Sequence, residues 1–181
     1  MILPLPFLPA FFLHYNYMIG KDIIEAAHER IKPYIHRTPL ISSHTLAGMA
    51  GCSQLFLKCE NFQKIGAFKA RGAFNKLLQM DKNVTTVCTH SSGNHAQALA
   101  YAATKLGLTS YIVMPGNSPP VKKSGVIGYG GNVVESGNTL KEREETAERV
   151  AKEHNAHFVH PYNDLQIIAG QATAAKEAFE D

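Results

Sequence analysis

The fold is indicated by residues 84–114, which read VTTVCTHSSGNHAQALAYAATKLGLTSYIVM. Val84 to Thr89 is rich in β-branched residues, which predicts a strand. Asn94 to Leu106 has the composition and length of a helix, and Gly107 is placed to end it. Ser110 to Met114 then predicts a second, buried strand. A strand, a helix and a second strand in this order indicate a βαβ unit with parallel strands.

The same alternation continues after this unit, and helical spacing also precedes it. Strands alternating with helices of this length predict an α/β fold around a parallel sheet. Lys21 to Lys32 predicts an amphipathic helix. Its expected apolar face consists of Ile23, Ile24, Ala27 and Ile31. The other predicted elements are strands at Gln54–Glu60, Asn132–Glu135 and Phe158–His160, and helices at Ser43–Ala50, Phe68–Met80, Val121–Tyr129, Leu140–His154 and Leu165–Phe179.

Composition and charge exclude several classes of function. The chain has 181 residues, 45% of them hydrophobic, and a formal net charge of +3. Because lysine and arginine are scattered, nucleic-acid binding is not expected. The charged run Lys141–Glu145 predicts a solvent-facing helix surface. The three cysteines lack a paired spacing, which indicates free thiols and a cytoplasmic protein.

The first thirteen residues are apolar, but a membrane span needs about 20 apolar residues. We therefore predict no membrane partner and interpret residues 1–17 as a poorly ordered extension, with the structured chain beginning at Met18. His154, His157 and His160 are spaced by three, but they straddle a predicted helix end and strand, where their side chains diverge. No metal site is predicted from them.

One lysine lies among small and apolar residues in the segment GAFKARGA at 66–73. Partial burial of Lys69 between Phe68 and Ala70 would disfavour the charged form and lower the pKa of the amine. A lysine of that kind can form a Schiff base with a carbonyl compound. The alternative interpretation is an ordinary surface lysine at the start of a helix.

Small and polar residues, Ser91-Ser92-Gly93-Asn94-His95, join the first strand of the βαβ unit to its helix. Ligands of open parallel sheets bind beyond the carboxyl ends of the strands, and the N–H groups of a helix start suit a carboxylate or phosphate. Gly93 allows the backbone to approach a ligand closely. Asn94 and the serine hydroxyls can donate hydrogen bonds. The alternative interpretation is an N-cap cluster without a ligand.

Four segments resemble one enzyme family, in order and with its spacing. They are PYIHRTPL at 33–40, NFQKIGAFKARGA at 61–73, THSSGNHAQ at 89–97 and HPYNDLQIIAGQAT at 160–173. From about Met18 to its last residue, the chain is similar to the serine racemase and threonine (serine) dehydratase family of fold-type-II pyridoxal phosphate enzymes. The resemblance implies the tryptophan synthase β-like fold. It also implies a small parallel-sheet domain at 82–162 and an incomplete large domain at 18–81 and 163–181.

The resemblance further implies roles for the two segments described above. Lys69 would bind pyridoxal phosphate covalently and act as the base at the substrate Cα, with Phe68 packed near the cofactor. The loop Ser91–His95, including Gly93, would bind the substrate carboxylate, and Asn94 would contact the ring hydroxyl of the cofactor. Ser92 matches the position that acts as acid and base on the opposite face in racemases of the family.

The implied activity is deamination of L-serine or L-threonine to a 2-oxo acid and ammonia, or racemisation of serine, by a full-length homodimer. In the family, the phosphate-binding loop, the partner of the ring nitrogen and the ligands of a divalent cation follow the last helix. This sequence has no matching residues, so we interpret it as a truncated N-terminal half with little activity alone. Two alternatives stay open. One is a non-catalytic isoform that pairs with full-length subunits, and the other is a β-replacement enzyme resembling cysteine synthase.

Overall fold

The computed structural model describes residues 19–181, so the extension predicted at 1–17 lies outside the described residues. None of the helices in this range is both long and apolar enough to cross a membrane. The helices are α1 (Lys21–Ile31), α2 (His44–Ala50), α3 (Lys69–Leu77), α4 (Asn94–Lys105), α5 (Pro120–Gly128), α6 (Leu140–Glu153) and α7 (Leu165–Glu180), and the strands are β1 (Leu40–Ser42), β2 (Phe56–Lys58), β3 (Thr86–His90), β4 (Thr109–Pro115), β5 (Asn132–Ser136) and β6 (His157–Phe158).

Four parallel strands form the central sheet of residues 19–181, in the order β5-β4-β3-β6. β3 pairs with β4 along its whole length, and the short β6 pairs with β3 where Phe158 lies opposite Cys88. The helices α4, α5 and α6 connect successive strands, because parallel strands cannot be joined by a tight turn. The α/β fold with a parallel sheet is therefore confirmed.

Alternate residues of the central strands face two separate cores. Val87 and Ile112 pack in the core that contains residues of α4 and α5, whereas Cys88 and Val113 pack against α6 on the other face. Successive side chains of a strand point to opposite faces of the sheet. Both faces are thus covered by helices, which explains why these strands show no regular alternation of apolar and polar residues.

A layer formed by α1, α3 and α7 packs beside the sheet and carries part of the candidate site. α3 contacts both α7 and α4, so it connects this layer to the sheet domain. α3 and α7 approach most closely at two glycines. A Cβ on Gly170 would lie 2.7 Å from the carbonyl oxygen of Arg71 and 2.7 Å from the Cα of Gly72. Larger residues at this crossing would separate the two helices.

The apolar face predicted for α1 is partly wrong. Ala27 and Ile31 are buried as expected, but Ile23 is 43% exposed and His28 is buried. α1 packs against α7, and the imidazole of His28 lies 3.8 Å from the carboxylate of Glu177 on that helix. α1 thus turns a face with a buried histidine toward α7, which hydrophobicity alone does not indicate.

The segment around Leu40 pairs with the segment predicted as a strand at Gln54–Glu60. They form the antiparallel two-stranded sheet β1-β2, in which Leu40 lies opposite Lys58. The helix between them starts at Ser43, whose Oγ accepts a hydrogen bond from the backbone N–H of Leu46 at 3.3 Å. This helix ends at Gly51 in the left-handed conformation, with φ of 68°.

Candidate active site

A cavity of about 530 Å³ lies beyond the carboxyl ends of β3 and β6, where ligands bind in open α/β sheets. The start of α3 borders it on one side, and the loop between β3 and α4 borders it on another. The structure thus brings the Lys69 segment and the Ser91–His95 loop to one cavity. Its lining residues are Phe68, Lys69, His90, Ser91, Ser92, Gly93, Asn94, His95, Leu140, Arg143, Pro161 and Tyr162.

Lys69 is the first residue of α3, and the chain reaches it through a tight bend. Ile65 and Gly66 both adopt positive φ, 59° and 71°. This conformation is strained for a β-branched residue such as Ile65. The Ile65 side chain packs against the main core, which compensates for this strain. Core packing therefore fixes the bend that delivers Lys69 to the cavity.

The amine of Lys69 is half-buried and has no carboxylate partner within the described residues. Its Nζ donates a hydrogen bond to the carbonyl oxygen of Pro161 at 3.2 Å and lies 5.2 Å from the centre of the Phe68 ring. Burial lowers the pKa of the Lys69 amine. A lower pKa raises the fraction of neutral, nucleophilic amine at a given pH relative to a surface lysine.

The Ser91–His95 loop presents the uncapped start of α4 to the cavity. The N–H of Gly93 donates to Ser91 Oγ at 3.2 Å, which closes the loop on itself. No side chain of the described residues caps α4, so the N–H groups of its first turn are available to an anion. A Cβ on Gly93 would meet no atom within 4 Å. Glycine therefore leaves open space beside these N–H groups.

His95 lies in the first turn of α4 and is 3% exposed. Neither ring nitrogen makes a well-formed hydrogen bond in residues 19–181, although the backbone of Val159 lies close enough to favour the protonated ring weakly. Burial, followed by the nearby charge of Lys69, lowers the pKa of His95 to about 3. The imidazole is therefore neutral at physiological pH, and it adds no second positive charge beside Lys69.

Arg143 is the most informative lining residue that the sequence prediction missed. It lies in the run Lys141–Glu145, predicted as a solvent-facing surface, yet it is half-buried and borders the cavity. Its Nε donates to the carbonyl oxygen of Thr139 at 3.3 Å, and no carboxylate of the described chain pairs with it. A signal for its position exists in the sequence, because Leu140, Arg143, Ala147 and Val150 share one helix face and the last two are core residues.

Tyr162, Pro161, Leu140 and His90 also line the cavity without having been predicted to bind a ligand. Pro161 and Tyr162 follow β6 in the chain. The ring of His90, at the end of β3, lies 5.5 Å from the ring of Phe158 on β6. Burial and the charge of Arg143 lower the pKa of His90. Among the lining residues, none is acidic. The cavity therefore favours anionic ligands.

The profile of the family described as "Pyridoxal-phosphate dependent enzyme" matches residues 31–181. The chain belongs to this family. It is 51% identical over 159 residues to serine racemase of Arabidopsis thaliana, covering 87% of this chain and 48% of that protein. It is also 51% identical over 157 residues to β-hydroxyaspartate dehydratase of Paracoccus denitrificans, covering 86% of this chain and 50% of that protein.

The fold agrees with a solved member of the pyridoxal-phosphate dependent family. The crystal structure of serine racemase from Dictyostelium discoideum matches with a TM-score of 0.82 and 42% identity, over 88% of this chain and 52% of that one. The predicted resemblance to racemases and dehydratases of this family is confirmed. The chain spans about half the length of the relatives it matches.

The residues around the cavity fit the cofactor for which the family is named. A partly desolvated lysine suits its aldehyde, and the uncapped start of α4 suits an anionic group. The neutral imidazole of His95 offers ring nitrogens that make no well-formed hydrogen bond within the described residues. These features support pyridoxal phosphate as the cofactor and leave the individual residue roles as proposals.

Proposed function

We propose that this chain is part of a pyridoxal phosphate enzyme. The enzyme would deaminate L-serine or L-threonine, or racemise serine. One observation carries the proposal: the amine of Lys69, whose pKa burial lowers, borders the same cavity as the uncapped start of α4. A nucleophilic amine beside an anion-binding helix start is what a reaction at the α-carbon of an amino acid requires. The racemase and dehydratase relatives support this reaction class.

The Lys69 segment and the Ser91–His95 loop have separate roles under this proposal. Lys69 would hold the cofactor covalently, and Phe68 would pack against it. Asn94 would contact its ring hydroxyl. The N–H groups of the Ser91–His95 loop would bind the substrate carboxylate, which a helix start stabilises by about 0.3–1 kcal/mol through its dipole, and more when partly buried.

The chemistry at Cα would then be shared by two residues. When bound, pyridoxal phosphate supplies a sink for the electron pair that remains after a proton leaves Cα. Lys69 would take that proton as the base at Cα, since burial lowers the pKa of its amine. Ser92, on the loop, would return a proton to the opposite face in racemisation. In deamination the β-hydroxyl leaves instead, and hydrolysis gives a 2-oxo acid and ammonia.

A substrate with a second carboxylate is also compatible with the site. Arg143 reaches the cavity without a carboxylate partner in the described chain, and none of the lining residues is acidic. A guanidinium in this position could pair with a distal carboxylate. The name of the Paracoccus relative, a β-hydroxyaspartate dehydratase, supports testing that compound beside serine and threonine.

The remaining parts of the interpretation stay proposals. They include a small domain at 82–162 and a large domain at 18–81 and 163–181, assembly as a homodimer, a divalent-cation site, and a cytoplasmic location, which the three free cysteines support. A subunit that pairs with longer chains and does not catalyse is the main alternative. A β-replacement enzyme is less well supported, because such relatives usually carry a T-S-G-N-T-G loop where this chain has Ser91–His95.

Reductive trapping tests the proposed function directly. The chain is incubated with pyridoxal phosphate and reduced with borohydride, and peptide mass spectrometry locates the pyridoxyl group. We expect the group on Lys69, no label at that peptide in Lys69→Arg, and unchanged labelling in Lys64→Arg, a matched control from the same motif. Prior addition of L-serine, L-threonine or β-hydroxyaspartate should reduce labelling for whichever amino acid the site accepts. Labelling spread over exposed lysines, or unaffected by Lys69→Arg, would contradict the proposal.

A further inference from the structure

The turn at residues 160–163 forms one wall of the cavity and connects β6 to α7. Its conformation depends on the imidazole of His160. The backbone N–H groups of Tyr162 and Asn163 both donate to His160 Nδ1, at 3.2 Å and 2.8 Å. Because Nδ1 accepts two hydrogen bonds, it carries no proton, and the ring N–H is at Nε2.

His160 acts on the turn as an N-cap residue acts on a helix. Its acceptor binds the N–H groups two and three residues further on, the same offsets at which Asp164 Oδ1 accepts from Gln166 and Ile167. Packing fixes the orientation of the ring. The ring of Tyr162 lies edge-on at 4.6 Å. The imidazole is thus a fixed acceptor for two N–H groups that would otherwise bind water.

The peptide unit between Pro161 and Tyr162 transmits this hydrogen bond to Lys69. In a planar trans peptide the N–H and the C=O point in opposite directions, and no cis peptide occurs in the described chain. His160 binds the N–H end of this unit, and the C=O end accepts the hydrogen bond from Lys69 Nζ at 3.2 Å. The orientation of the acceptor that Lys69 meets is therefore set by His160.

α3 is tied to this segment at a second point that does not involve His160. Lys76 Nζ lies 2.7 Å from Asp164 Oδ2. Lys69 and Lys76 are two helical turns apart and share one face of α3. A change at His160 should therefore alter the contact of Lys69 while the contact of Lys76 keeps the segment docked on α3.

We propose that His160 is a positioning residue for Lys69, acting through the Pro161–Tyr162 peptide. The inference rests on the proposed function only in treating Lys69 as the reactive amine. It assigns a task to a histidine that contributes neither to the loop nor to the α3 motif. Burial lowers the pKa of the Lys69 amine, and under this proposal the half-buried position depends on the contact with Pro161.

Two variants of His160 separate its acceptor from its ring. His160→Asn keeps an acceptor that can bind the N–H groups two and three residues on, whereas His160→Phe keeps an aromatic ring without an acceptor. Amide hydrogen exchange at Tyr162 and Asn163 reports the turn. The pH profile of acetylation of Lys69 by acetic anhydride, relative to the exposed Lys105 in the same sample, reports the amine and needs no cofactor.

In His160→Phe we expect protection of the two N–H groups to fall by about five- to tenfold, as the loss of one hydrogen bond predicts. We also expect the Lys69 profile to move to higher pH, because a released side chain regains water. His160→Asn should retain both properties of the unaltered chain. If His160→Phe does not fold, His160→Leu provides the same comparison.

Two results would overturn the inference. In one, protection at Tyr162 is lost while the Lys69 profile stays unchanged. In the other, the Asn and Phe variants move the profile equally, which would exclude the acceptor as the cause. Neither result depends on pyridoxal phosphate. A failure of cofactor trapping at Lys69 would therefore be distinguishable from a failure of this inference.

Discussion

Lys69 and His95 have different ordinary pKa values, and burial lowers both. Each side chain bears a positive charge when protonated, and a charge near low-dielectric protein is disfavoured. The protonation of one also opposes that of the other, since the charge of Lys69 is the second cause of the shift at His95. The imidazole of His95 is therefore neutral near neutral pH, and burial favours the neutral form of the Lys69 amine.

His95 should make the stability of the protein depend on pH. In the unfolded chain it gains a proton as pH falls through 6.5, whereas in the folded chain it stays neutral down to about 3. The unfolded state binds more protons over this interval, so the free energy of unfolding falls as pH falls, by about 1.4 kcal/mol per pH unit for one proton. In His95→Gln, we expect this contribution to disappear when unfolding by urea is measured at several pH values between about 6 and 4. An equal slope in both proteins would show that His95 titrates alike in the folded and unfolded chains.

The candidate site could be predicted from the sequence only where its residues are neighbours along the chain. Lys69 and the Ser91–His95 loop stand out because small residues surround a lysine and polar residues follow a strand. Pro161 and Arg143 reach the same cavity from distant segments. The position of Pro161 depends on the pairing of β6 with β3, which no local sequence pattern encodes. The position of Arg143 depends on which face of α6 packs on the sheet.

At the scale of elements, the sequence predicts type more accurately than length. The helix predicted at Phe68–Met80 is α3, Lys69–Leu77, and the strand predicted at Gln54–Glu60 is β2, Phe56–Lys58. Hydrophobic spacing indicates the type of an element, whereas its ends depend on local hydrogen bonds. The pairing of β1 with β2 was not predicted, because their side chains carry no register signal of their own.

The crossing of α3 and α7 depends on the absence of a side chain at Gly170. A Cβ there would lie 2.7 Å from backbone atoms of α3. We expect Gly170→Ala to lower the free energy of unfolding by about 1–3 kcal/mol, because the backbone must move to accept the methyl group.

Gly48, inside α2, would have no atom within 4 Å of an added Cβ. Gly48→Ala should therefore raise stability by about 0.5–1 kcal/mol, as alanine favours a helix interior. Urea unfolding of both variants checks these signs, and a stabilised Gly170→Ala would contradict the close approach.

At the scale of the whole molecule, one buried ion cluster joins β2, α3 and α7, and the buried His28 of α1 lies beside it. Arg71 Nη2 lies 2.8 Å from both Glu60 Oε1 and Glu177 Oε2. Lys58 Nζ lies 3.1 Å from Glu177, and His28 Nδ1 lies 3.8 Å from it. Burial opposes the charge of Arg71, but its hydrogen bonds with the two carboxylates outweigh burial and raise its pKa. Burial likewise opposes the charge of Glu177, and Arg71 and Lys58 hold its pKa below the usual range.

This cluster could not be predicted from the sequence. Glu60 and Glu177 lie 11 and 106 residues from Arg71 along the chain. The sequence shows Arg71 only as part of the segment that contains Lys69, where a charged residue suggests a surface position. Its burial follows from the docking of α7 on α3, which places Glu177 beside the guanidinium opposite Glu60.

Breaking this cluster should destabilise the whole described chain, since it connects elements that are distant in sequence. In Arg71→Met, two carboxylates lose their main partner, and we expect the free energy of unfolding to fall by about 3–5 kcal/mol, as for other broken buried ion pairs. Adding Glu177→Gln should recover part of that loss, because a buried amide costs less than a buried charge.

Arg149→Met is the matched control. Arg149 pairs with Glu153 on the exposed surface of α6, and such pairs contribute less than about 1 kcal/mol. Urea unfolding measures all three. If Arg71→Met and Arg149→Met cost the same, the cluster does not connect these elements energetically.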